Sequence, residues 1–158
     1  MFVLARAVTY AALFIGFVLV FLPARILSSA GIIQPPTIGV PQVAGILVGG
    51  AGAALALTCI FTFAVIGRGT PAPFDPPRRL VVRGPYRRLR NPMYAGAGLA
   101  LAGAALYCQS MALLGYAVVF LIVMHLFVVL YEEPTLRRTF GNEYEAYCRQ
   151  AGRWWPTR

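Results

Sequence analysis

Residues 94–131 read YAGAGLALAGAALYCQSMALLGYAVVFLIVMHLFVVLY, and this stretch decides the fold. It contains no charged residue and a single histidine, His125. A bilayer core of about 30 Å takes about 20 helical residues, so the run is too long for one crossing. The polar triplet Cys108-Gln109-Ser110 is its natural break. The pattern therefore predicts two helices, 94–107 and 111–131, joined as a hairpin whose two ends return to the same membrane face. At 1.5 Å per residue the first is roughly 21 Å long. It must start earlier, stand upright or thin the bilayer to cross.

Working outward, residues 3–22 form a second apolar run, interrupted by Arg6 and Thr9, and residues 43–66 a third with no charge. The first exceeds the roughly 7–15 residues of a signal-peptide core and carries its arginine inside the run, which favours a retained span. Hydrophobic residues make up 59% of the chain and charged residues 12%, against about a quarter charged in soluble domains. The expected fold is all-α: a polytopic membrane helical bundle of four transmembrane helices with a cytoplasmic C-terminal amphipathic helix. Residues 1–66 would be a scaffold pair and 67–158 the catalytic part of one integrated membrane domain. Gly45 and Gly49 have the spacing that lets helices approach closely, chiefly within the bundle.

Charge orients this bundle. All fourteen basic residues are arginine. Arg68, Arg78, Arg79, Arg83, Arg87, Arg88 and Arg90 follow the second span, while Arg137, Arg138, Arg149, Arg153 and Arg158 follow the fourth. The intervening outer loop has Arg25 alone. The positive-inside rule then puts both termini and the 67–92 loop in the cytoplasm, and all-arginine usage with abundant alanine points to a bacterial inner membrane. The net charge of +9 is explained by arginines flanking spans and facing anionic headgroups, so nucleic acid is not the expected partner. The three cysteines and one histidine have no metal-ligand spacing, and no metal is expected. Nothing in the chain points to an obligate protein partner; the lipid bilayer and a lipophilic substrate are the partners implied.

The chemistry lies in two polar segments at the ends of the hairpin. Prolines 71, 73, 76, 77 and 85 exclude regular helix before it, leaving Leu80-Val81-Val82 as one short extended piece. Asn91 and Pro92 then have the N-cap and first-turn chemistry of a helix start. The unpaired N–H groups there favour an anion, and Gly96 and Gly98 would let something large approach, or else serve helix packing. After the hairpin, Glu132 and Glu133 are adjacent at the membrane edge in a chain with five acidic residues. They read either as a solvated helix end paired with arginines or as carboxylates aimed at a cation. His125 lies about 10 Å deeper on nearly the same face, as bundle packing or pocket lining. Leu136, Phe140, Tyr144 and Tyr147 recur at helical intervals, with Gly141 weakening the middle. Trp154-Trp155 suits an interfacial anchor.

The series Arg83-Gly84-Pro85-Tyr86, Arg90-Asn91-Pro92-Met93-Tyr94 with Gly96, a hydrophobic hairpin, then Tyr131-Glu132-Glu133-Pro134 resembles the membrane-integral methyltransferase superfamily. That superfamily includes the isoprenylcysteine carboxyl methyltransferases and the phospholipid N-methyltransferases. The Phe140-Gly141, Tyr144, Tyr147 and Trp155-Pro156 tail is similar to its prokaryotic members, so the likeness covers about residues 82–156. The carboxyl methyltransferases usually carry histidine before this proline; Asn91 matches the phospholipid version. The resemblance implies S-adenosyl-L-methionine as methyl donor, in a pocket closed by the C-terminal segment. It implies a lipophilic acceptor, a prenylcysteine-like carboxylate or a phospholipid amine.

The residues suit that donor. Glu132 and Glu133 offer carboxylates for its amino group and sulfonium. Arg90, or the helix-start N–H groups around Asn91, Pro92 and Met93, suit its carboxylate. Tyr86, Tyr94, Tyr144 and Tyr147 offer ring faces for adenine and the cation. His125 or a glutamate would be the base for an amine acceptor. Two other functions compete. A small four-helix transporter calls for acidic residues at membrane depth, and a nicotinamide-dependent reductase for a GxGxxG fingerprint; neither feature is present.

Overall fold

The computed structural model describes Thr9 and residues 12–31, 37–63, 65 and 79–156. The part of the first predicted span before Ala12, Thr9 apart, all of residues 67–78 with Arg68 and Arg78, and both chain ends lie outside the described residues. Those that are described are helical almost throughout, and among them pairing between extended segments is limited to one isolated bridge, Leu89 with Gly152.

Among the described residues, three helices are long and apolar enough to cross a membrane: α1 (Ala12–Ser29), α2 (Val40–Thr62) and α4 (Met111–Phe140). Between the last two lies the shorter apolar α3 (Pro92–Cys108). Its 17 residues span about 26 Å. The last helix among the described residues is α5 (Asn142–Gln150), and a non-helical tail follows it. Large apolar side chains stand exposed along these helices, among them Leu47 (69%), Phe61 (71%), Val119 (56%) and Ile122 (54%). Such a surface suits lipid and is far larger than soluble monomers display.

The hairpin breaks where the sequence predicts. Gln109 adopts a left-handed conformation (φ 49°) and ends α3. The Ser110 hydroxyl accepts the Leu113 N–H at 3.2 Å and caps α4, which satisfies one otherwise unpaired donor.

Glycines decide how α2 meets α3. A Cβ on Gly45 would lie 2.6 Å from the Tyr107 nitrogen, and one on Gly52 would lie 2.5 Å from the Ala100 nitrogen. A Cβ on Gly103 would run into the backbone of Gly49. The two backbones are therefore in contact, the arrangement small residues permit in lipid. Gln42 locks the far end: its amide oxygen caps Gly39 N–H at 3.0 Å and its Nε2 donates to Tyr107 O at 3.3 Å.

Two prolines lie beyond stretches of wider, π-helical turn. Ile15–Phe21 precedes Pro23 in α1, and Val128–Glu132 precedes Pro134 in α4. Proline lacks an N–H and its ring clashes with the carbonyl four residues back; widening the turn relieves that contact without ending the helix. In α1 the Val18 carbonyl accepts the Tyr116 hydroxyl at 2.8 Å, fastening α1 to α4.

This corrects the C-terminal prediction. The helix expected over 111–131 continues through Pro134 to Phe140, and the expected single amphipathic helix is split at Gly141. Gly141 has φ 49° and ψ −123°, a conformation open in practice only to glycine. Residues 80–82, expected as one short extended piece, are neither helix nor paired strand. Their side chains instead alternate between two clusters, Val81 against Cys59 and Tyr86, Leu80 and Val82 against Tyr144 and Tyr147.

Candidate functional site

Glu133 is 5% exposed, and a carboxylate so buried requires a cationic partner. Arg153 supplies a two-pronged contact, Nε to Oε1 at 2.8 Å and Nη2 to Oε2 at 2.9 Å. Arg90 adds Nη1 at 3.1 Å from Oε1. The same Nη1 lies 2.9 Å from the Cys148 sulfur. One carboxylate thus joins α4, the segment before α3 and the C-terminal tail, with α5 attached through Arg90 and Cys148. Hydrogen bonding to Glu133 pushes the Arg153 guanidinium further above its ordinary range.

Adjacent helix residues point about 100° apart, so Glu132 faces another neighbour. Its Oε2 accepts the Tyr94 hydroxyl at 3.2 Å. Tyr94 is 8% exposed, in the first turn of α3. The ends of the hairpin thereby meet twice, through Tyr94–Glu132 and Arg90–Glu133.

The tail after α5 binds along the segment that enters α3. Arg90 N–H donates to Gly152 O at 2.8 Å and Gly152 N–H to Arg88 O at 3.2 Å. Asn91 Nδ2 donates to Arg153 O at 3.4 Å. Asn91 occupies the N-cap position but puts no side chain over the helix end. That corrects its expected capping role and leaves the first-turn N–H groups uncapped by it. Trp154 Nε1–H donates to His125 Nδ1 at 3.0 Å, carrying the tail up the side of α4.

The tyrosines divide by role. Tyr147 donates its hydroxyl to Tyr86 O at 2.6 Å, with Leu89 O at 3.3 Å. Tyr144 (1% exposed) packs with Tyr147 and Ala151, and the Tyr86 ring packs near Phe63 and Cys59. Burial pushes the hydroxyls of Tyr86, Tyr144 and Tyr147 well above the ordinary tyrosine value. These rings hold the loop, α5 and α2 together, and Met93 packs in the same cluster as Tyr86. Pro92 is fully buried. Gly96 abuts the α2 backbone, where a Cβ would lie 2.8 Å from Ala56 N, and Gly98 abuts Leu121. Both glycines serve helix contacts.

The structure therefore brings Arg90, Asn91, Tyr94, Glu132 and Glu133 into one polar centre and sets His125 apart, exposed on α4 beneath Trp154. Arg153, Cys148 and Trp154 complete this centre and its flank without being among the predicted site residues. Trp154 was visible in the sequence, but only as half of the Trp154-Trp155 anchor pair, and Arg153 only as one of the basic residues beyond the last span. Among the buried side-chain nitrogens and oxygens of the described residues, one is unmatched: Arg90 Nε has no hydrogen-bond partner, although the Tyr144 hydroxyl interacts with the same guanidinium. A buried donor left open in a well-paired centre fits an acceptor supplied from outside the chain. Among the described residues, no three His, Cys, Asp or Glu side chains converge as a metal site would need.

Comparison with known families agrees with this architecture. The family model described as Phospholipid methyltransferase matches residues 40–143, well over half of the chain. The chain belongs to the phospholipid methyltransferase family, whose members are membrane methyltransferases. The match starts with α2 and takes in Arg90, Tyr94, His125, Glu132 and Glu133, stopping before Arg153 and Trp154. No curated protein matches the chain.

Proposed function

We propose that this protein is an integral membrane methyltransferase that uses S-adenosyl-L-methionine to methylate a lipophilic acceptor, a prenylcysteine-like carboxylate or a phospholipid amine. The observation that carries the reading is the double closure of the hairpin, Tyr94–Glu132 and Arg90–Glu133, around the unmatched Arg90 Nε. It places an acid, a cation and an uncapped helix start side by side at one end of the bundle.

S-adenosyl-L-methionine would supply a methyl carbon activated by a neighbouring sulfonium. The residues present fit its groups. Arg90 Nε and the first-turn N–H groups of α3 suit a carboxylate. Glu132, oriented by Tyr94, suits the amino group or the cationic sulfur. Glu133 has both oxygens engaged by Arg153, so its part is to hold Arg90 and the tail in place. The main task of these residues is alignment, because methyl displacement requires acceptor, carbon and sulfur in line. Exclusion of water by the packed tail strengthens each electrostatic contact at such a site.

In this reading α3 is a fourth, short crossing supported along α2 where the bilayer thins. The arginine-rich ends and both termini face the cytoplasm, where the soluble donor is available. The acceptor arrives laterally through lipid.

Retention of tritiated S-adenosyl-L-methionine by the purified, detergent-solubilised chain tests the reading. Saturable retention that is weakened in Glu132→Gln supports it. Absence of retention at millimolar donor contradicts it.

A further inference from the structure

The contact between the tail and α4 fixes more than the position of the tail. An indole N–H is a donor only. Trp154 Nε1 lies 3.0 Å from His125 Nδ1, with ring centroids 6.1 Å apart and planes at 41°. Nδ1 must then offer its lone pair, and the single proton of the imidazole sits on Nε2. The direction of the indole is itself fixed, because the two residues before it are pinned. Gly152 is bridged to Leu89, and Arg153 is forked onto Glu133. The surroundings favour a persistent bond: His125 stands among the exposed apolar residues Leu121, Ile122 and Leu126 of α4, where lipid replaces competing water.

We propose that Trp154 is a positioning residue that locks His125 in the Nε2–H tautomer, so that His125 presents a hydrogen-bond donor, not a basic nitrogen, to a lone-pair group of the lipophilic acceptor. The substrate part of this proposal rests on the methyltransferase reading; the tautomer does not. The consequence for mechanism is specific. With Nδ1 engaged and Nε2 protonated, His125 takes no proton from an acceptor amine while the tail is docked.

His125 is the chain's only histidine, so its two ring nitrogens can be observed without assignment. The full chain, labelled with nitrogen-15 histidine in detergent micelles, is examined by long-range proton–nitrogen correlation at about pH 8, above the ordinary imidazole range. The expected wild-type result is one tautomer, with Nε2 protonated and Nδ1 bare. Trp154→Phe is expected to give averaged nitrogens from mixed tautomers. A proton on Nδ1 in the wild type, or the same nitrogen pattern in both proteins, overturns the proposal. His125→Ala provides a second readout should Trp154→Phe fail to fold. Loss of the acceptor must shift the Trp154 indole N–H resonance, and an unmoved resonance also overturns the proposal. Donor retention measured on the same wild-type sample separates the two readings. A locked tautomer without retention contradicts the methyltransferase assignment and leaves the clasp standing.

Discussion

Arg153 grips Glu133 through two hydrogen bonds of 2.8 and 2.9 Å, so a residue of the tail after α5 fixes a carboxylate about two turns from the end of α4. Hydrogen bonds to charged groups contribute about 1.5–3 kcal/mol, and the Arg153 side chain is 35% exposed, which reduces the value. Arg153→Ala is expected to cost about 1–2 kcal/mol, read as a lower thermal midpoint in detergent. Arg153→Lys keeps the charge but not the fork and should recover only part of the loss. Equal midpoints for all three proteins would contradict this.

The neighbouring acids should separate cleanly by variant. Glu133→Gln leaves the Arg90 guanidinium buried beside a neutral amide, and breaking such a pair costs about 3–5 kcal/mol. Glu132→Gln disturbs one hydrogen bond from Tyr94 and should cost about 1 kcal/mol or less. Donor affinity should rank the other way, falling at least about tenfold in Glu132→Gln, a change of about 1.4 kcal/mol. Thermal midpoints and binding isotherms on the two variants check the crossover. A Glu132→Gln protein with unchanged affinity would remove Glu132 from the site.

Gly103 and Gly115 offer a matched pair. A Cβ at Gly103 would collide with the Gly49 backbone, while one at Gly115 would meet nothing within 4 Å. Gly103→Ala should therefore force α2 and α3 apart, at about 1–3 kcal/mol. Gly115→Ala should be neutral or stabilise by roughly 0.5–1 kcal/mol through helix propensity. Unfolding midpoints of the two variants in one detergent decide this, and a stable Gly103→Ala protein would count against the backbone contact.

Alkaline pH should loosen the polar end. Burial raises the hydroxyls of Tyr86, Tyr144 and Tyr147 above their unfolded value. The folded state then holds protons that the unfolded state releases, so stability falls as pH rises. The contribution is complete below about pH 10, the unfolded tyrosine value, and is lost above it. The thermal midpoint should stay level between about pH 7 and 9 and drop by about pH 11. Tyr147→Phe should start lower and fall less. A wild-type midpoint unchanged to about pH 11 would contradict this.

Much of this arrangement was readable from the chain because membrane solvation imposes a coarse code. Apolar run lengths located α2 and the hairpin, and Cys108-Gln109-Ser110 marked its turn. Adjacency of Arg90 and Glu133 followed from a hairpin returning to one face. The continuation past residue 131 was missed because the apolar run stops there, and the wider turn that carries the helix through Pro134 leaves no compositional trace. Gly96 and Gly98 were ambiguous for a related reason: a glycine records that something approaches, not whether it is a helix or a ligand. Arg153 and Trp154 escaped as site residues because their partners are tertiary. One arginine in a tail rich in arginine carries no signal of which carboxylate it will meet.

Methyl transfer itself is the most direct test of the central claim, that the centre around Tyr94, Glu132 and Arg90 methylates a lipophilic acceptor. Membranes containing the protein are incubated with trideuteromethyl S-adenosyl-L-methionine, and the extracted lipids and hydrophobic small molecules are surveyed by mass spectrometry. The account predicts a lipid-soluble product carrying the labelled methyl group, formed by the wild type and greatly reduced with Glu132→Gln. An extract identical to that from membranes lacking the protein, under conditions where the purified chain is folded, would contradict it.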